Sequence, residues 1–359
     1  MSESASAPAV QNEPSLGFRA PAGTRPVLGA RAQVFVPATS ANLGPGFDAL
    51  GLALGYGDDL EVAAVEERSI PGGTLVAVSG EGEGCLPEDG THLAARTVRQ
   101  AWDAWGVEHD GVGLRLQAMN RIPHGRGQGS SAAVIVAALA AAGALLPEGS
   151  QPSTDDLFEL AARIEGHPDN VAPAVYGGLT TSLAGEDGGA APAAVGQEDA
   201  SRRFRTAVLS THPDVVALVA IPDVKLATSL ARGLLPESIG HGVAAANSGR
   251  AALLIHALTQ DPSLLLVGTE DRLHEGFRAP AMPQSAALIG ALRARGLAAT
   301  VSGAGPTVLV LANGAEGGDL EFARASLDEL TANTGVSWRV LEPGLDHAGV
   351  TVSVHREVL

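Results

Sequence analysis

Alternating and helically spaced apolar residues divide the chain into short strands and helices. Alternation predicts strands at 32–36, 60–65, 74–78 and 113–119, and helical spacing predicts helices at 93–105, 132–146 and 155–164. A continuous apolar run at 215–221 is typical of a buried strand. Beyond it the pattern predicts helices near 244–258, 263–269, 284–295 and 319–333 and strands at 299–301, 307–311, 336–341 and 349–354. This mixture predicts an α+β protein with two lobes.

Two segments of biased composition interrupt the pattern. Residues 1–28 are rich in Ala, Pro and Ser and lack the basic start and apolar stretch of a signal peptide, so we expect a disordered tail. Residues 184–202 are rich in Gly, Ala, Asp and Glu and predict a long hairpin loop or mobile excursion. We therefore expect a tail at 1–28, a first lobe at 29–209 and a second lobe at 210–359.

Charge and composition exclude several classes of protein. The 359 residues carry a net charge of −17, which disfavours nucleic acid as a partner. A phosphorylated ligand would need local help from a helix N-terminus, a metal or a few arginines. Cys85 is the single cysteine, which fits a reducing compartment. The longest apolar run, 132–146, is shorter than the roughly 20 residues of a membrane span, so we expect a soluble, cytoplasmic protein without a membrane partner.

The strongest chemical signal is a glycine-rich turn between a predicted strand and a predicted helix. Three glycines at alternate positions let the backbone approach a ligand, and the helix that follows presents free N–H groups. The pattern is neither a Walker A loop, because Gly-Lys-Ser/Thr is absent, nor a dinucleotide-binding fingerprint. It favours phosphate binding over a plain capped turn. The candidate residues are Pro123, His124, Gly125, Arg126, Gly127, Gln128, Gly129, Ser130, Ser131, Ala132 and Ala133.

Three further clusters and two arginines are weaker candidates when each is taken alone. Residues 37–48 form a polar loop with Asn42 and Asp48, residues 165–173 bring Glu, His, Asp and Asn together, and residues 302–307 form a second glycine loop. A carboxylate in the second cluster would suit Mg²⁺, and a His or Asn there would orient a hydroxyl. Taken alone, each cluster more often serves as a turn or a cap, and exposed arginines are usually solvated, so Arg232 and Arg278 alone predict nothing.

Together, these segments resemble the motifs of the GHMP small-molecule kinase superfamily, in the form that its homoserine kinases carry. The matching stretches are PATSANLGPGFD at 37–48, the turn at 123–133, GHPDNVAP at 166–173 and SGAGPT at 302–307. The resemblance implies an ATP-binding N-terminal lobe like ribosomal protein S5 domain 2 and a ferredoxin-like C-terminal lobe. It also implies phosphorylation of the side-chain hydroxyl of L-homoserine to O-phospho-L-homoserine in threonine biosynthesis, by a cytoplasmic homodimer.

The resemblance also implies a role for each matching residue. The turn at 123–133 would cradle the triphosphate of ATP, and Ser131 and Glu165 would hold Mg²⁺. Homoserine would lie among Asn42, Asp48, His167, Arg232 and Arg278, with Asp48 at its ammonium and the arginines at its carboxylate. Asn170, Thr228 and Arg232 would stand at the reacting hydroxyl. Because Asn170 cannot take a proton at neutral pH, we expect catalysis by positioning and electrostatics.

Departures from the family pattern leave alternatives open. Gln128 stands where relatives usually have an apolar residue, Arg126 adds a charge that reaches either phosphate or solvent, and His92 replaces an Asn that some relatives carry near the adenine. The competing interpretations are another kinase of the superfamily, acting on mevalonate or a sugar, and a non-catalytic nucleotide-binding regulator. Two arginines and Asp48, suited to an amino acid, favour homoserine over the first of these.

Overall fold

The computed structural model describes residues 17–185, 203–332 and 334–356, which form two lobes, each built on one sheet. The strands are β1 (Ala30–Ala41), β2 (Leu50–Glu66), β3 (Thr74–Gly80), β4 (Val112–Asn120), β5 (Leu179–Gly185), β6 (Arg203–Leu209), β7 (Val215–Pro222), β8 (Ala298–Val301), β9 (Val308–Asn313), β10 (Trp338–Leu341) and β11 (Thr351–Arg356). The helices are α1 (Leu93–Trp105), α2 (Ser130–Ala144), α3 (Thr154–Glu165), α4 (Val171–Tyr176), α5 (Thr228–Gly233), α6 (His241–Thr259), α7 (Leu265–Gly268), α8 (Glu275–Arg278), α9 (Pro283–Ala294) and α10 (Leu320–Thr331). The two-lobed α+β prediction is confirmed.

The first lobe is a mixed sheet with the order β11-β1-β2-β4-β3, extended by β5 and β6 from the edge of β2. β3 and β4 run parallel because α1 makes the crossover between them, and the other pairs are antiparallel. β1 does not end at residue 36, where the predicted strand stopped. The strand continues to Ala41 after a register shift at Pro37/Ala38, which carries the chain directly into the polar loop.

Helix α2 lies in the centre of the first lobe. Eleven of its residues are buried, and most of them are alanines, so the helix packs closely between neighbouring elements. It contacts β1 most among the strands, and α1 and α3 among the helices. Such packing on all sides fixes the position of its N-terminus, where the glycine-rich turn ends.

The second lobe has the order β10-β7-β9-β8, with the connectivity βαββαβ that defines a ferredoxin-like fold. The residues of β7 alternate between two cores, as expected for a strand with both faces covered. Val219 packs into the large core shared with the first lobe, while Leu218 packs with α9 and α10 in a separate cluster. The shared core joins the two sheets into one body around the cleft described below.

Two of the predicted domain limits need correction. Residues 17–28 are not a disordered tail: Phe18 packs edge-on against Trp105 at 5.8 Å, and the N–H of Val27 donates to the carbonyl of Leu145 at 2.9 Å. Nor does the second lobe run to the C-terminus, because β11 pairs with β1 in the first sheet. Residues 1–16 and most of the excursion at 184–202 lie outside the described residues.

Within the described parts of the chain, every helix falls short of the length or the apolar character that a membrane span requires.

Candidate active site

A cleft of about 160 Å³ brings together residues from distant parts of both lobes. The first lobe contributes the loop after β1, the turn before α2 and the segment between α3 and α4, and the second contributes α5, α8 and the β8–β9 loop. The predicted residues His124, Ala132 and Ala133 are not in its lining, although they flank residues that are. The lining consists of Asn42, Asp48, Pro123, Gly125, Arg126, Gly127, Gln128, Gly129, Ser130, Ser131, Glu165, His167, Asp169, Asn170, Thr228, Arg232, Arg278, Gly303 and Ala304.

The glycine-rich turn delivers an uncapped helix N-terminus to this cleft. Gly129 is the N-cap of α2, has a φ of 69°, and supplies no side chain to the first helical turn. A Cβ at this position would stand 1.9 Å from Oγ1 of Thr39, so the close approach to β1 requires glycine. The free N–H groups and the positive end of the helix dipole therefore lie beside Ser130 and Ser131 at the cleft.

Two polar side chains of the turn have structural partners. Arg126 donates to the carboxylate of Asp223 at 2.7 Å and to the carbonyl of Pro222 at 3.0 Å, which links the turn to the second lobe. The guanidinium of Arg126 is therefore paired with Asp223, whereas the sequence suggested that it would reach phosphate or solvent. Gln128 is buried, accepts from the hydroxyl of Tyr56 at 2.6 Å and donates to Ser302 Oγ at 3.1 Å. These partners give the polar side chain of Gln128 a structural role in joining the turn to β2 and to the β8–β9 loop.

Ser131 and Glu165 form an oxygen-rich pair at the start of α2. The hydroxyl of Ser131 donates to Oε2 of Glu165 at 2.8 Å. Burial raises the pKa of the Glu165 carboxyl, against the opposing charge of His167 and the hydrogen bond from Ser131. Among the described residues there is no group of three or more His, Cys, Asp or Glu suited to a metal. A hydroxyl and one carboxylate nevertheless fit Mg²⁺, which takes few protein ligands when phosphates supply others.

Asp48, Arg232 and Arg278 place opposite charges on one wall of the cleft. Arg232 donates to both carboxylate oxygens of Asp48, at 2.7 and 3.0 Å. Arg278 is only 1% exposed, and no ion pair to it occurs in the described part of the chain. Its Nη1 donates to the carbonyl of Gly303 at 3.3 Å, while burial and then the charge of Arg232 lower its pKa. The wall thus holds a neutralised ion pair and an additional cation.

Two asparagines fix the loops around these charges. Asn42 donates to the carbonyl of Gly303 at 2.8 Å and accepts from the N–H of Asp48 at 2.9 Å, so its side chain connects the two lobes. The side chain of Asn170 accepts from the hydroxyl of Thr39 at 2.9 Å, which sets the orientation of its amide. Thr228 is the first residue of α5 and faces the same cleft.

His167 has a charged partner that the sequence-based site omitted. Its Nδ1 lies 3.0 Å from Oδ1 of Asp169, which is buried and lines the cleft. Burial lowers the pKa of His167, but the hydrogen bond and charge of Asp169, with the charge of Glu165, outweigh it and raise the pKa above its usual value. Asp169 belongs to the motif that carries Asn170, so its position was a usable signal. Thr39 lies in the motif at 37–48, but its contact with Asn170 spans 131 positions, so the motif alone did not show that contact.

Matches to protein families cover both lobes. The family described as GHMP kinases N terminal domain matches residues 92–178, and the family described as GHMP kinases C terminal matches residues 244–329. A solved mevalonate kinase from L. major shares the fold at a TM-score of 0.60, covering 89% of this chain and 99% of that chain at 13% identity. Each lobe therefore carries a GHMP kinase domain.

Similarity to curated relatives identifies the family within the GHMP kinases. The homoserine kinase of Streptomyces avermitilis is 47% identical over 324 residues, 90% of this chain and 96% of that protein. The homoserine kinase of Mycolicibacterium smegmatis is 42% identical over 318 residues, 87% of this chain and 96% of that protein. A solved homoserine kinase from Cytophaga hutchinsonii matches at a TM-score of 0.72 and 25% identity, covering 90% of this chain and 97% of that chain. The chain belongs to the homoserine kinase family of the GHMP kinases.

Proposed function

We infer that this chain transfers the γ-phosphoryl group of ATP to the side-chain hydroxyl of L-homoserine, yielding O-phospho-L-homoserine and ADP in threonine biosynthesis. The observation that carries the inference is the cleft itself, which sets Asp48, Arg232 and Arg278 beside the N-terminus of α2. One wall suits a zwitterion and the other suits phosphate oxygens. A mevalonate or sugar kinase would not need a carboxylate for an ammonium group.

The proposed phosphate subsite consists mainly of backbone. Free N–H groups at the start of α2 and the dipole of a 15-residue helix attract phosphate oxygens without a lysine. Because Arg126 is held by Asp223, its guanidinium contributes to the joint between the lobes rather than to the triphosphate. The backbone of the turn at 123–133 remains the proposed cradle.

We propose that homoserine, when it binds, breaks the ion pair between Asp48 and Arg232 and takes its place as the partner of each. Homoserine offers an ammonium group to Asp48 and a carboxylate to Arg232 and Arg278, so it can replace the contacts that Asp48 and Arg232 make with each other. A hydroxy acid without the ammonium group would leave Asp48 unpaired in a half-buried position, which is unfavourable. We place Asn42 and His167 at the edges of this subsite.

We propose that the transfer step depends on orientation rather than on a protein base. In a loose phosphoryl-transfer transition state the bond to the attacking oxygen is only weakly formed, so early deprotonation of the hydroxyl gains little. A correctly oriented hydroxyl therefore suffices. Asn170, fixed by Thr39, would orient that hydroxyl together with Thr228. Arg232 would add positive charge where negative charge develops.

Mg²⁺ is the proposed metal. Ser131 and Glu165 would hold it, and its charge would offset that of the phosphates. The hydrogen bond between the two side chains keeps both oxygens on one side of the cleft.

We also propose a cytoplasmic homodimer. The outer face of the first sheet forms an open groove of about 760 Å³, lined in part by Phe35, Met119 and Val352. Met119 and Val352 are 49% and 42% exposed, so this face presents apolar side chains to solvent, and contiguous exposed apolar patches mark protein–protein interaction sites. Sedimentation of the wild type should give twice the chain mass of 36.2 kDa, and Met119→Arg should shift it towards the monomer. A monomeric wild type would contradict the dimer. We propose the cytoplasm as the location because ATP is available there.

An acceptor panel tests the function. Purified protein with Mg-ATP should release ADP with L-homoserine, far less with L-serine or L-threonine, and none with mevalonate. Two analogues examine the charged wall: 4-hydroxybutyrate lacks the ammonium group and 3-aminopropan-1-ol lacks the carboxylate, and both should be poor acceptors. Activity on mevalonate without activity on homoserine would identify a different kinase. No ADP with any acceptor would favour the non-catalytic regulator.

A further inference from the structure

The guanidinium of Arg278 is held from behind by uncharged acceptors. Its Nη1 donates to Nδ1 of His274 at 3.1 Å and to the carbonyl of Gly303 at 3.3 Å. Its Nε has no hydrogen-bond partner in the described part of the chain. The ring of Phe47 lies 5.3 Å from the guanidinium carbon. This arrangement fixes the position of Arg278 without neutralising its charge.

The partners of His274 determine which of its nitrogens carries a proton. Nε2 lies 2.9 Å from the carbonyl oxygen of Gly44, which can only accept, so Nε2 bears the hydrogen. Nδ1 receives the hydrogen bond from Arg278, which can only donate, so Nδ1 is unprotonated. The imidazole is therefore neutral and acts as an acceptor on one side and a donor on the other.

Through these bonds His274 joins two parts of the amino-acid subsite. Gly44 belongs to the loop that carries Asp48, and Arg278 ends α8. The imidazole is fully buried and packs against the Phe47 ring at 5.3 Å. The carboxylate of Asp271 accepts from the backbone N–H of His274 at 2.8 Å, which fixes the turn that carries the ring.

We propose that His274 is a positioning residue that holds the Arg278 guanidinium and the Gly44 loop at a fixed separation, so that both charged ends of the substrate meet their partners at once. The proposal rests on the proposed function, because it concerns homoserine binding. His274 itself does not line the cleft and has no role in the transfer step.

Three charged groups bear on the protonation of this imidazole. Asp271 Oδ1 lies 3.7 Å from Nε2, Arg278 stands at Nδ1, and Asp48 acts from further away. Burial, the largest effect, lowers the pKa of His274, Asp271 raises it, and Arg278 lowers it again, with a net decrease. Acid should therefore disrupt the contact to Arg278, because a protonated Nδ1 cannot accept.

The test compares two replacements that differ in hydrogen bonding. His274→Gln can accept from Arg278 and donate to Gly44 without a charge, whereas His274→Leu can do neither. A lost hydrogen bond to a charged group predicts an increase in KM for homoserine of about tenfold to a hundredfold in His274→Leu. KM for ATP should change less than about twofold, on the same hydrogen-bond argument, and His274→Gln should restore most of the loss. His256→Gln, on an exposed face of α6, is the matched control and should be unchanged.

Two results would overturn the proposal. One is an equal rise in KM for homoserine in His274→Gln and His274→Leu; the other is a parallel rise in KM for ATP. If His274→Leu does not fold, the pH profile decides: KM for homoserine should rise on acidification in the wild type, at a pH below the usual pKa of histidine, and stay flatter in His274→Gln. Superimposable profiles would contradict it. Wild-type activity on homoserine tests the proposed function separately.

Discussion

Glu275, at the start of α8, should make the stability of the protein fall as pH rises. Its buried carboxyl accepts from Val301 N–H at 2.8 Å and from the hydroxyl of Thr300. Burial raises its pKa from 4.5 to about 7, although both hydrogen bonds oppose the change. Because Glu275 follows His274 in the chain, the protonation state of this carboxyl also bears on the segment behind the proposed amino-acid subsite.

The sign and size of the effect follow from the two pKa values. A carboxyl whose pKa is higher in the folded protein binds its proton more tightly when folded, so the free energy of unfolding decreases as pH rises from about 4.5 to about 7. The pKa difference of about 2.5, at about 1.4 kcal/mol for each pKa unit, corresponds to about 3 kcal/mol. Most of this loss is complete by pH 8.

Glu275→Gln should remove this pH dependence, because the amide oxygen keeps both hydrogen bonds and cannot ionise. Urea midpoints measured at pH 5 and pH 8 should show the variant close to the wild type at the lower pH and more stable, by up to about 3 kcal/mol, at the higher. Glu148→Gln, at an exposed position, is the control, and its stability difference between pH 5 and pH 8 should equal that of the wild type. A constant separation between Glu275→Gln and wild type at both pH values would refute the reasoning.

Three further changes examine the proposed phosphate side of the cleft. Gly129→Ala should lower kcat/KM at least about tenfold, because its Cβ would collide with Thr39. Gly149→Ala is its control: it shares the positive φ but has open space around the Cβ, so it should lose only about 1–2 kcal/mol of stability. Asn170→Ala should reduce kcat more than a few-fold with little change in KM for homoserine, and a normal kcat would exclude the orienting role. Glu165→Gln should raise the Mg²⁺ concentration that gives half-maximal activity, whereas an unchanged requirement would place the metal elsewhere.

Local patterns predicted most elements, and the family resemblance predicted most of the residues that line the cleft. The limits of α1 agree with the predicted 93–105, and the buried run at 215–221 became β7, because periodicity and bounding prolines act over a few residues. The four motifs converge on one cleft because each lies where a loop follows or precedes a regular element. Sequence order alone did not show which of them would meet.

Long-range pairing accounts for what sequence reasoning missed. β11 joins β1 across more than 300 positions of chain, and no local signal distinguishes that edge from an edge in the second sheet. The partner of Arg126 is also remote, because Asp223 lies in the other lobe. His274 is only four residues from Arg278, but its contact with Gly44 spans 230 positions, and that contact had no local signal. Short helices such as α5 and α8 carry too few residues for a periodic pattern.

The net charge of −17 leads to a last prediction, on salt. The proposed phosphate subsite is mainly backbone, and Arg126 is already paired with Asp223. We therefore expect the long-range field of the acidic protein to repel ATP while short-range contacts hold it. Salt screens exposed charges beyond about 10 Å at 0.1 M and affects buried contacts less. Raising the ionic strength from about 10 to about 150 mM should therefore increase kcat/KM for Mg-ATP. A decrease would mean that exposed cations near the cleft outweigh the net charge.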